Sequence, residues 1–472
     1  MKNNAYVWKY FERLGTQLVQ FVLQIILARL LMPSDYGLVA IISIFILIAE
    51  VLVQSGLNAA LIQKKNVDTL DINTVFWFSF ILSLVLYTII FLFSPMLSIF
   101  FNEPLLNILL KILSIKLILG VYTTIQNTII AKELLFKVSF KASIFSTIIS
   151  GSIALFLALN GFGVWTLIIQ QLIYQLIIAV ILSFFIRWLP KIQFSWMRLR
   201  ALLSYSGNIL VANMLSITSE QIYGLSIGKM YSNTLLGFYQ RGQQFPQAIV
   251  NSLNGTINTA VHPYMSKEQD DSLRITEMLK KIITNVSIIL FPAMIGLFSI
   301  SRNLVIILLT EKWIQSIRFL QYESIYYMFI PFLAITIQTN RALGNSKFSL
   351  AIEMAKSVFI VVSILFSIFL GLDFLLISRI GIVVLLLFVT IKFNSKLLGY
   401  SFRDFARDTI KPVIASLFMS VAIYLINFIN INTYLLCFIQ IIIGVVIYFS
   451  ILILFKSEPL ISIFKKLKRN NK

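Results

Sequence analysis

Seven polar side chains follow one face of a predicted membrane helix near the middle of the chain. Their spacings of three and four residues place them on one side of an α-helix. Lipid hydrocarbon does not satisfy amide groups, so this stripe indicates a cavity or pathway. Carboxamides carry both donors and acceptors, which suits a ligand covered in hydroxyl groups. The seven residues are Gln240, Gln244, Gln247, Asn251, Asn254, Asn258 and His262.

Three other predicted helices carry polar faces of the same kind. They hold Arg13, Gln17, Gln20 and Gln24 in helix 1, Glu50, Gln54 and Asn58 in helix 2, and Asn213, Ser216, Glu220 and Tyr223 in helix 7. The alternative is that these side chains only bond helix to helix, for about 0.6 kcal/mol each. The length of the stripe and its counterpart in the other half of the chain favour a pathway lined by helices 1, 2, 7 and 8.

The charged residues inside the spans have two interpretations each. Glu50 and Glu220 are candidates for proton coupling, because an intramembrane acid can exchange a proton as a cavity opens to either side. Each acid could instead be a fixed partner for Arg13 or another cation. Arg29 and Lys229 lie nearly opposite the polar faces of their own helices, so they either line the cavity or reach the membrane surface.

The only histidine, His262, cannot form a multi-histidine metal site, and neither a metal nor a cofactor is expected. Coupling to protons or to sodium stays open.

The composition is that of an integral membrane protein, with 58% hydrophobic residues and a mean hydropathy of +0.90 over 472 residues. A spanning helix needs about 20 apolar residues. The chain divides into fourteen such segments, at 7–31, 36–60, 74–97, 105–130, 143–160, 163–186, 206–228, 238–262, 277–299, 317–341, 348–370, 374–394, 412–430 and 433–455. The fold class is therefore all-α and membrane-spanning.

The net charge of +20 reflects membrane topology and not nucleic-acid binding. Basic residues fall in every second connection, such as Lys132 to Lys141 and Lys392 to Lys411, and the intervening turns carry almost none. By the positive-inside rule both termini are cytoplasmic, which agrees with an even number of spans. We expect a multi-pass membrane protein, with membrane lipids and no nucleic acid as partners.

The chain contains a weak internal repeat at an offset of 200 residues. This shift aligns Arg29 with Lys229, Gly37 with Gly237, and Asn58 with Asn258. Parallel repeats of this kind are common in transporters. The predicted organisation is an N-terminal six-helix lobe at 1–190, an amphipathic cytoplasmic linker at 191–205, a C-terminal six-helix lobe at 206–396, and helices 13 and 14 with a basic cytoplasmic tail at 397–472.

Several motifs resemble a known family, the polysaccharide transporters that include the Wzx-type flippases of lipid-linked oligosaccharides and O-antigen. The matching segments are Ile26 to Leu31 with Pro33, Asp35, Tyr36 and Gly37, then Ser55 to Leu57, Gly161 to Trp165, Ile227 to Lys229, Leu236 to Arg241, and His262 to Lys267. The chain is most similar to the branch of colanic-acid exporters.

This resemblance implies the fold of the multidrug/oligosaccharidyl-lipid/polysaccharide exporter superfamily, with two parallel six-helix lobes in a V and two added helices. It also implies an activity: translocation of an undecaprenyl-diphosphate-linked repeat unit by alternating access, for O-antigen, capsule or exopolysaccharide. A lipid-linked oligosaccharide is then the substrate, and a polysaccharide polymerase and a chain-length regulator are candidate partners. Cationic cavity residues would meet the diphosphate, with Arg13 the best placed and Arg341 a weaker candidate. Arg241 is a further candidate for the substrate pathway. The resemblance also implies a location in the bacterial cytoplasmic (inner) membrane.

Other functions compete with this one. A multidrug or small-molecule cation-coupled antiporter of the same superfamily shares the lobes, but it would have a drier, more aromatic pocket. A membrane polysaccharide polymerase would need a long outer loop bearing catalytic charge, which the sequence lacks. A channel fits poorly with two pseudo-equivalent halves. We therefore expect a transporter and not an enzyme, with no catalytic residues.

Overall fold

The structure is a computed structural model that describes residues 2–54, 56–64, 66–267, 271–429 and 431–455. The regular secondary structure of this part of the chain is helical, with no β-strand assigned in it. The helices are α1 (Lys2–Leu30), α2 (Pro33–Gln54), α3 (Leu57–Gln63), α4 (Thr69–Phe101), α5 (Pro104–Leu113), α6 (Ile115–Glu133), α7 (Phe136–Leu159), α8 (Val164–Ile186), α9 (Trp196–Met230), α10 (Asn233–Lys267), α11 (Ser272–Leu309), α12 (Ser316–Ala342), α13 (Ser346–Leu398), α14 (Phe402–Ile426) and α15 (Thr433–Leu454).

These helices make up fourteen membrane spans, as the sequence predicts. The pair α2 and α3 forms one span, and so does the pair α5 and α6, since each pair is divided only by a short break. Helix α13 supplies two spans because Gly371 interrupts it with φ 83° and ψ −177°, a conformation that only glycine adopts without strain. The all-α, multi-pass membrane fold is thus confirmed.

Four of the helices are long enough to cross a membrane but more polar than the rest. Nine helical segments of the described chain are both long and apolar enough, and α13 is one of them. The helices outside that set are α1, α9, α10 and α12, of 29, 35, 35 and 27 residues. Three of these four carry predicted pathway stripes, so the polar residues are concentrated where a pathway is expected.

The chain packs as two compact units, Met1–Gly237 and Phe238–Lys472. In the first unit, α7 packs against both α1 and α8. Its buried face consists of small residues that let neighbouring helices approach closely. They are Ser139, Ala142, Ser143, Ser146, Thr147, Ser150, Gly151, Ala154 and Ala158.

The segment from Arg187 to Ser195 is not helical, and it is held against α4 and α6 in the first unit. Trp77 Nε1 donates to the Lys191 carbonyl oxygen at 2.8 Å, and Tyr122 Oη donates to the Trp188 carbonyl oxygen at 3.0 Å. Residues from Trp196 onward already belong to α9. The predicted linker 191–205 therefore comprises an extended stretch and the first turns of α9, while the predicted lobe boundaries stay a prediction.

The two repeat-related glycines make a reciprocal contact inside the first unit. A Cβ on Gly37 would overlap the carbonyl oxygen of Asn233, and a Cβ on Gly237 would overlap the carbonyl oxygen of Pro33. Because the offset of 200 also relates Pro33 to Asn233, each glycine lies against the start of the other's helix. The repeat found in the sequence thus corresponds to a symmetric close crossing of α2 and α10.

In the second unit, α14 and α15 pack against α11 through buried polar side chains. Asn303 Nδ2 donates to Gln440 Oε1 at 2.9 Å, and Gln440 Nε2 donates to Asn427 Oδ1 at 2.9 Å. The hydroxyl groups of Ser299 and Ser420 lie 2.7 Å apart. Buried amides in an apolar setting need such partners, so this network fixes the last two spans to the unit.

Candidate functional site

The polar stripe of α10 is partly described by the structure. Gln240, Gln244 and Gln247 are half-buried, and Asn251 is exposed. The side chains of Asn254, Asn258 and His262 lie outside the described residues. The first four members of the stripe are thus accessible in part, as a pathway lining requires, and its role stays a prediction.

The polar faces of α1 and α9 are mostly accessible within the first unit. Gln17 and Gln20 are exposed and Gln24 is half-buried, while the side chain of Arg13 lies outside the described residues. On α9, Asn213 and Glu220 are exposed and Ser216 is half-buried. Tyr223 differs from its neighbours, because it is only 3% exposed and so belongs to the packed interior.

The polar face of the second span contains an ion pair that sequence reasoning did not identify. Lys116 Nζ lies 2.9 Å from Glu50 Oε1, and about a quarter of each side chain is exposed, 23% for Lys116 and 27% for Glu50. Gln54 is exposed and Asn58 is half-buried. The alternative that an acid in the spans has a fixed cationic partner thus holds for Glu50, with Lys116 in place of Arg13.

The other predicted cations occupy different environments. Lys229 is exposed; its ammonium donates to the Phe100 carbonyl oxygen and lies 4.2 Å from the centre of the Phe100 ring. Arg29 and Arg341 are exposed near the ends of α1 and α12. Arg241 is only 5% exposed, donates to Gln244 and lies over the Trp313 ring at 5.8 Å. Arg241 is therefore a packed residue of the second unit.

A buried charged cluster in the second unit was missed by the sequence analysis. Arg379 of α13 donates to the carboxylate of Glu323 and to the hydroxyl of Tyr239, and its guanidinium lies 3.9 Å from the centre of the Tyr326 ring. Arg379 is 4% exposed and Glu323 is 1% exposed. The sequence signal that could have identified Arg379 and Glu323 is the presence of charged residues inside predicted membrane spans. Their pairing joins positions 56 residues apart, which no local pattern shows.

The described residues also contain two cavities in the first unit with opposite chemistry. One, of about 380 Å³, lies between α1 and α7 and is lined mainly by apolar side chains such as Val22, Ile26 and Ile148. The other, of about 210 Å³, contains the Glu50–Lys116 pair and several uncharged polar groups. Within the described chain, no group of three or more His, Cys, Asp or Glu residues is placed to hold a metal ion.

Outside the spans, one cluster of charges attaches the start of α9 to the start of α4. Arg198 donates to Asp68 and, at 3.1 Å, to Asp71, and Lys64 Nζ lies 2.6 Å from the Asp71 carboxylate. The hydrogen bond from the Arg198 guanidinium lowers the pKa of Asp68 from its ordinary 3.8 to about 2. Asp68 also caps α4, because its side chain accepts from the Asp71 backbone N–H at 2.9 Å.

Comparison with known proteins decides the family. A family model described as "Polysaccharide biosynthesis protein" matches residues 26–318, more than half of the chain. The chain belongs to this family. The family-matched region extends from the end of α1 into α12. It includes three of the four predicted pathway helices in full, and only residues 26–30 of α1.

Curated relatives of this chain carry names that refer to polysaccharide biosynthesis or its transport. The succinoglycan biosynthesis transport protein ExoT of Rhizobium meliloti is 24% identical over 309 residues, which are 65% of this chain and 62% of that protein. The lipopolysaccharide biosynthesis protein WzxC of Escherichia coli is 24% identical over 312 residues, again 65% and 62%. The chain spans between 62% and 66% of the length of the curated relatives it matches.

Solved structures of two transporters share the fold of this chain. The lipid II flippase MurJ, in an inward closed conformation, matches with a TM-score of 0.74 at 16% identity, over 96% of this chain and 100% of that one. An inward-facing multidrug resistance MATE family transporter matches with a TM-score of 0.61 at 15% identity, over 81% and 94%. At these identities the similarity establishes the fold alone.

Proposed function

We propose that the protein is a flippase that moves an undecaprenyl-diphosphate-linked oligosaccharide repeat unit across the bacterial cytoplasmic membrane. The observation that carries the proposal is the family match over residues 26–318 in a chain whose fold is shared with a lipid II flippase. ExoT and WzxC are named for the transport or biosynthesis of surface polysaccharides, which supports the same substrate class. The protein acts as a transporter and carries out no covalent chemistry.

The distribution of polar residues supports a path for a sugar head group. Amides and carboxylates on α1, α9 and α10 provide donors and acceptors inside helices that are otherwise apolar. A glycan exchanges its hydrogen bonds with water for bonds to these side chains, while the polyprenyl tail stays in the hydrocarbon. Alternating access then exposes the head group to one side of the membrane at a time.

Energy coupling is proposed to use a proton or sodium gradient, with Glu220 as the responsive group. Glu220 is exposed within its unit, whereas Glu50 is already paired with Lys116. In vesicles, an imposed pH step should change the transport rate of the wild type and not that of Glu220→Gln. Glu277→Gln, which removes an exposed acid at the start of α11, is the matched control and should behave as the wild type. If the transport rate of Glu220→Gln responds to the pH step as the wild type does, Glu220 does not have this role.

A second candidate is export of small molecules, and the structural similarity to a multidrug resistance transporter favours it. The two functions predict different phenotypes. Loss of a drug exporter sensitises cells to toxic compounds and leaves the cell envelope unchanged. Loss of the proposed flippase removes surface polysaccharide. Any change in drug sensitivity is then an indirect result of the altered cell envelope.

Deletion of the gene tests the proposal directly. Lipid extracts of the deletion strain, analysed by mass spectrometry, should contain an accumulated undecaprenyl-diphosphate-linked saccharide that restoring the gene removes. The matched control is a strain that lacks the polymerase of the same pathway, where single repeat units should be displayed on the outer leaflet. A deletion strain with normal surface polysaccharide and no accumulated lipid-linked saccharide would overturn the proposal.

A further inference from the structure

The polar cavity of the first unit contains two of the predicted pathway residues, Glu50 and Gln54. Its other lining residues were not predicted to belong to the pathway. Its volume is about 210 Å³, and it is lined by residues of α2, α6 and α8. Pockets that hold whole drug-sized ligands measure about 300–1,000 Å³. This cavity is therefore of a size for one small ring, not for an oligosaccharide.

The charges of the cavity balance within it. The Lys116 ammonium lies 2.9 Å from the Glu50 carboxylate, so the position that a small cation would take beside the carboxylate is already filled by the chain itself. The carboxylate in turn disfavours an anionic ligand beside the ammonium. The pair still offers strong acceptors and donors to a ligand, and about a quarter of each side chain is exposed. A neutral, polar ligand suits this arrangement.

The remaining lining supplies uncharged hydrogen-bonding groups at fixed positions. Gln175, only 9% exposed, donates from Nε2 to Thr123 Oγ1 at 2.7 Å, and Thr123 donates to the Gly120 carbonyl oxygen at 2.9 Å. The bond to Thr123 uses one of the two N–H donors of the Gln175 amide. Thr124 is half-buried and Gln54 is exposed, so the cavity opens on the surface of the unit.

We propose that this cavity is a subsite for one neutral sugar ring of the lipid-linked oligosaccharide, an inference that rests on the proposed function. The ring hydroxyls would donate to Glu50 and accept from Lys116, while Thr124 and Gln175 bind the hydroxyls on the opposite side. The space above Gly120 is part of the site, because a Cβ there would find its nearest neighbour, Gln175 Nε2, only at 3.9 Å.

Two variants test the subsite without removing the ion pair. Thr124→Val removes a hydroxyl at nearly constant volume. Gly120→Ala adds a methyl group that the surrounding atoms accommodate without a clash but that reduces the cavity. Thr88→Val is the matched control, since Thr88 is exposed on α4 and bonds only its own helix, at 2.9 Å to the Leu84 carbonyl oxygen.

The experiment compares two probes that bind to purified full-length protein in lipid nanodiscs. One is the lipid-linked saccharide extracted from the deletion strain, and the other is undecaprenyl diphosphate without sugar. Thr124→Val should weaken binding of the glycosylated lipid about three- to ten-fold, the loss expected for one hydrogen bond. Gly120→Ala should weaken it about three-fold or more, because the added methyl group occupies part of the space proposed for the sugar ring. Binding of the sugar-free lipid should stay within two-fold of wild type in both, and Thr88→Val should change neither.

The outcomes separate the subsite from the proposed function. If both pocket variants bind the glycosylated lipid as the wild type does, or if both probes weaken equally, the subsite is overturned and the flippase proposal stands. If no lipid-linked saccharide accumulates in the deletion strain, the proposed function itself fails, and the subsite fails with it.

Discussion

Replacement of Arg379 by Met is predicted to destabilise the second compact unit by about 3–5 kcal/mol, the cost of leaving one charge of a buried pair uncompensated. Arg379 and Glu323 are 4% and 1% exposed, so water does not reach the carboxylate that would lose its partner. The variant also loses the bond to Tyr239 and the contact with the Tyr326 ring at 3.9 Å. For a domain of about 150–250 residues, this corresponds to a fall of about 6–20 °C in the unfolding midpoint.

The chain offers a matched control for this variant. Arg318 pairs with Asp373, but these side chains are 49% and 55% exposed. Arg318→Met should therefore cost at most about 1 kcal/mol. The double variant Glu323→Leu with Arg379→Met should recover much of the loss, because replacing a whole buried pair by apolar residues is often neutral.

The assay is thermal unfolding of the purified protein in detergent, followed by size-exclusion chromatography after heating at one fixed rate. A fixed rate is needed because membrane proteins of this size often unfold irreversibly. The predicted cost of leaving the Glu323 charge unpaired is contradicted if Arg379→Met and Arg318→Met lower the unfolding midpoint equally. It is also contradicted if the double variant is as unstable as Arg379→Met.

Three further predictions follow from other sites. Gly37→Ala and Gly237→Ala should each reduce the yield of folded protein in size-exclusion chromatography, because the new methyl group overlaps a backbone carbonyl. The control Gly207→Ala should not reduce this yield, because no atom lies within 4 Å of the added Cβ. Equal yields of all three variants would contradict the close contact of the two glycines with the facing backbone. Asn251→Leu combined with Asn254→Leu should leave membrane insertion intact and abolish surface polysaccharide, measured by immunoblot of cell extracts; normal polymer would exclude the stripe from the pathway. The folded-state pKa of Asp68 lies below its ordinary 3.8, so the stabilisation from its bond to Arg198 is present above about pH 4 and is lost as the pH falls through about 2. The unfolding midpoint of Asp68→Asn, which keeps a capping side chain, should lie below that of the wild type at pH 7, and the difference should shrink as the pH falls from about 4 towards about 2. A difference at pH 2 as large as that at pH 7 would contradict this assignment.

The membrane spans could be predicted closely where an apolar run and the helix coincide. The segment predicted at 163–186 is α8, Val164–Ile186. The prediction of 206–228 was shorter than α9, Trp196–Met230, because the helix continues into polar turns that hydropathy does not detect. Helix α11 extends to Leu309 beyond the predicted end at 299, because it continues through the polar residues Ser301, Arg302 and Asn303 into a further apolar stretch.

The partners of charged residues could not be predicted, because they depend on tertiary packing. Glu50 is paired with Lys116 of the fourth span, and Glu323 with Arg379 of the twelfth. Sequence periodicity shows which face a residue occupies, but not which helix packs against that face. The repeat at an offset of 200 was a stronger signal, since Gly37 and Gly237 are equivalent in sequence and are also in reciprocal contact.

The proposed flippase moves a lipid-linked glycan between the two leaflets of the membrane. The most direct test reconstitutes the purified protein into vesicles that contain the lipid-linked saccharide from the deletion strain in both leaflets. A membrane-impermeant glycosidase or lectin outside the vesicles then measures the accessible fraction over time. We expect this fraction to rise from about half towards completion with the wild type, and to stay near half with the variant that carries Asn251→Leu and Asn254→Leu. Equal accessibility in vesicles with and without correctly folded wild-type protein, under an imposed proton or sodium gradient, would contradict it.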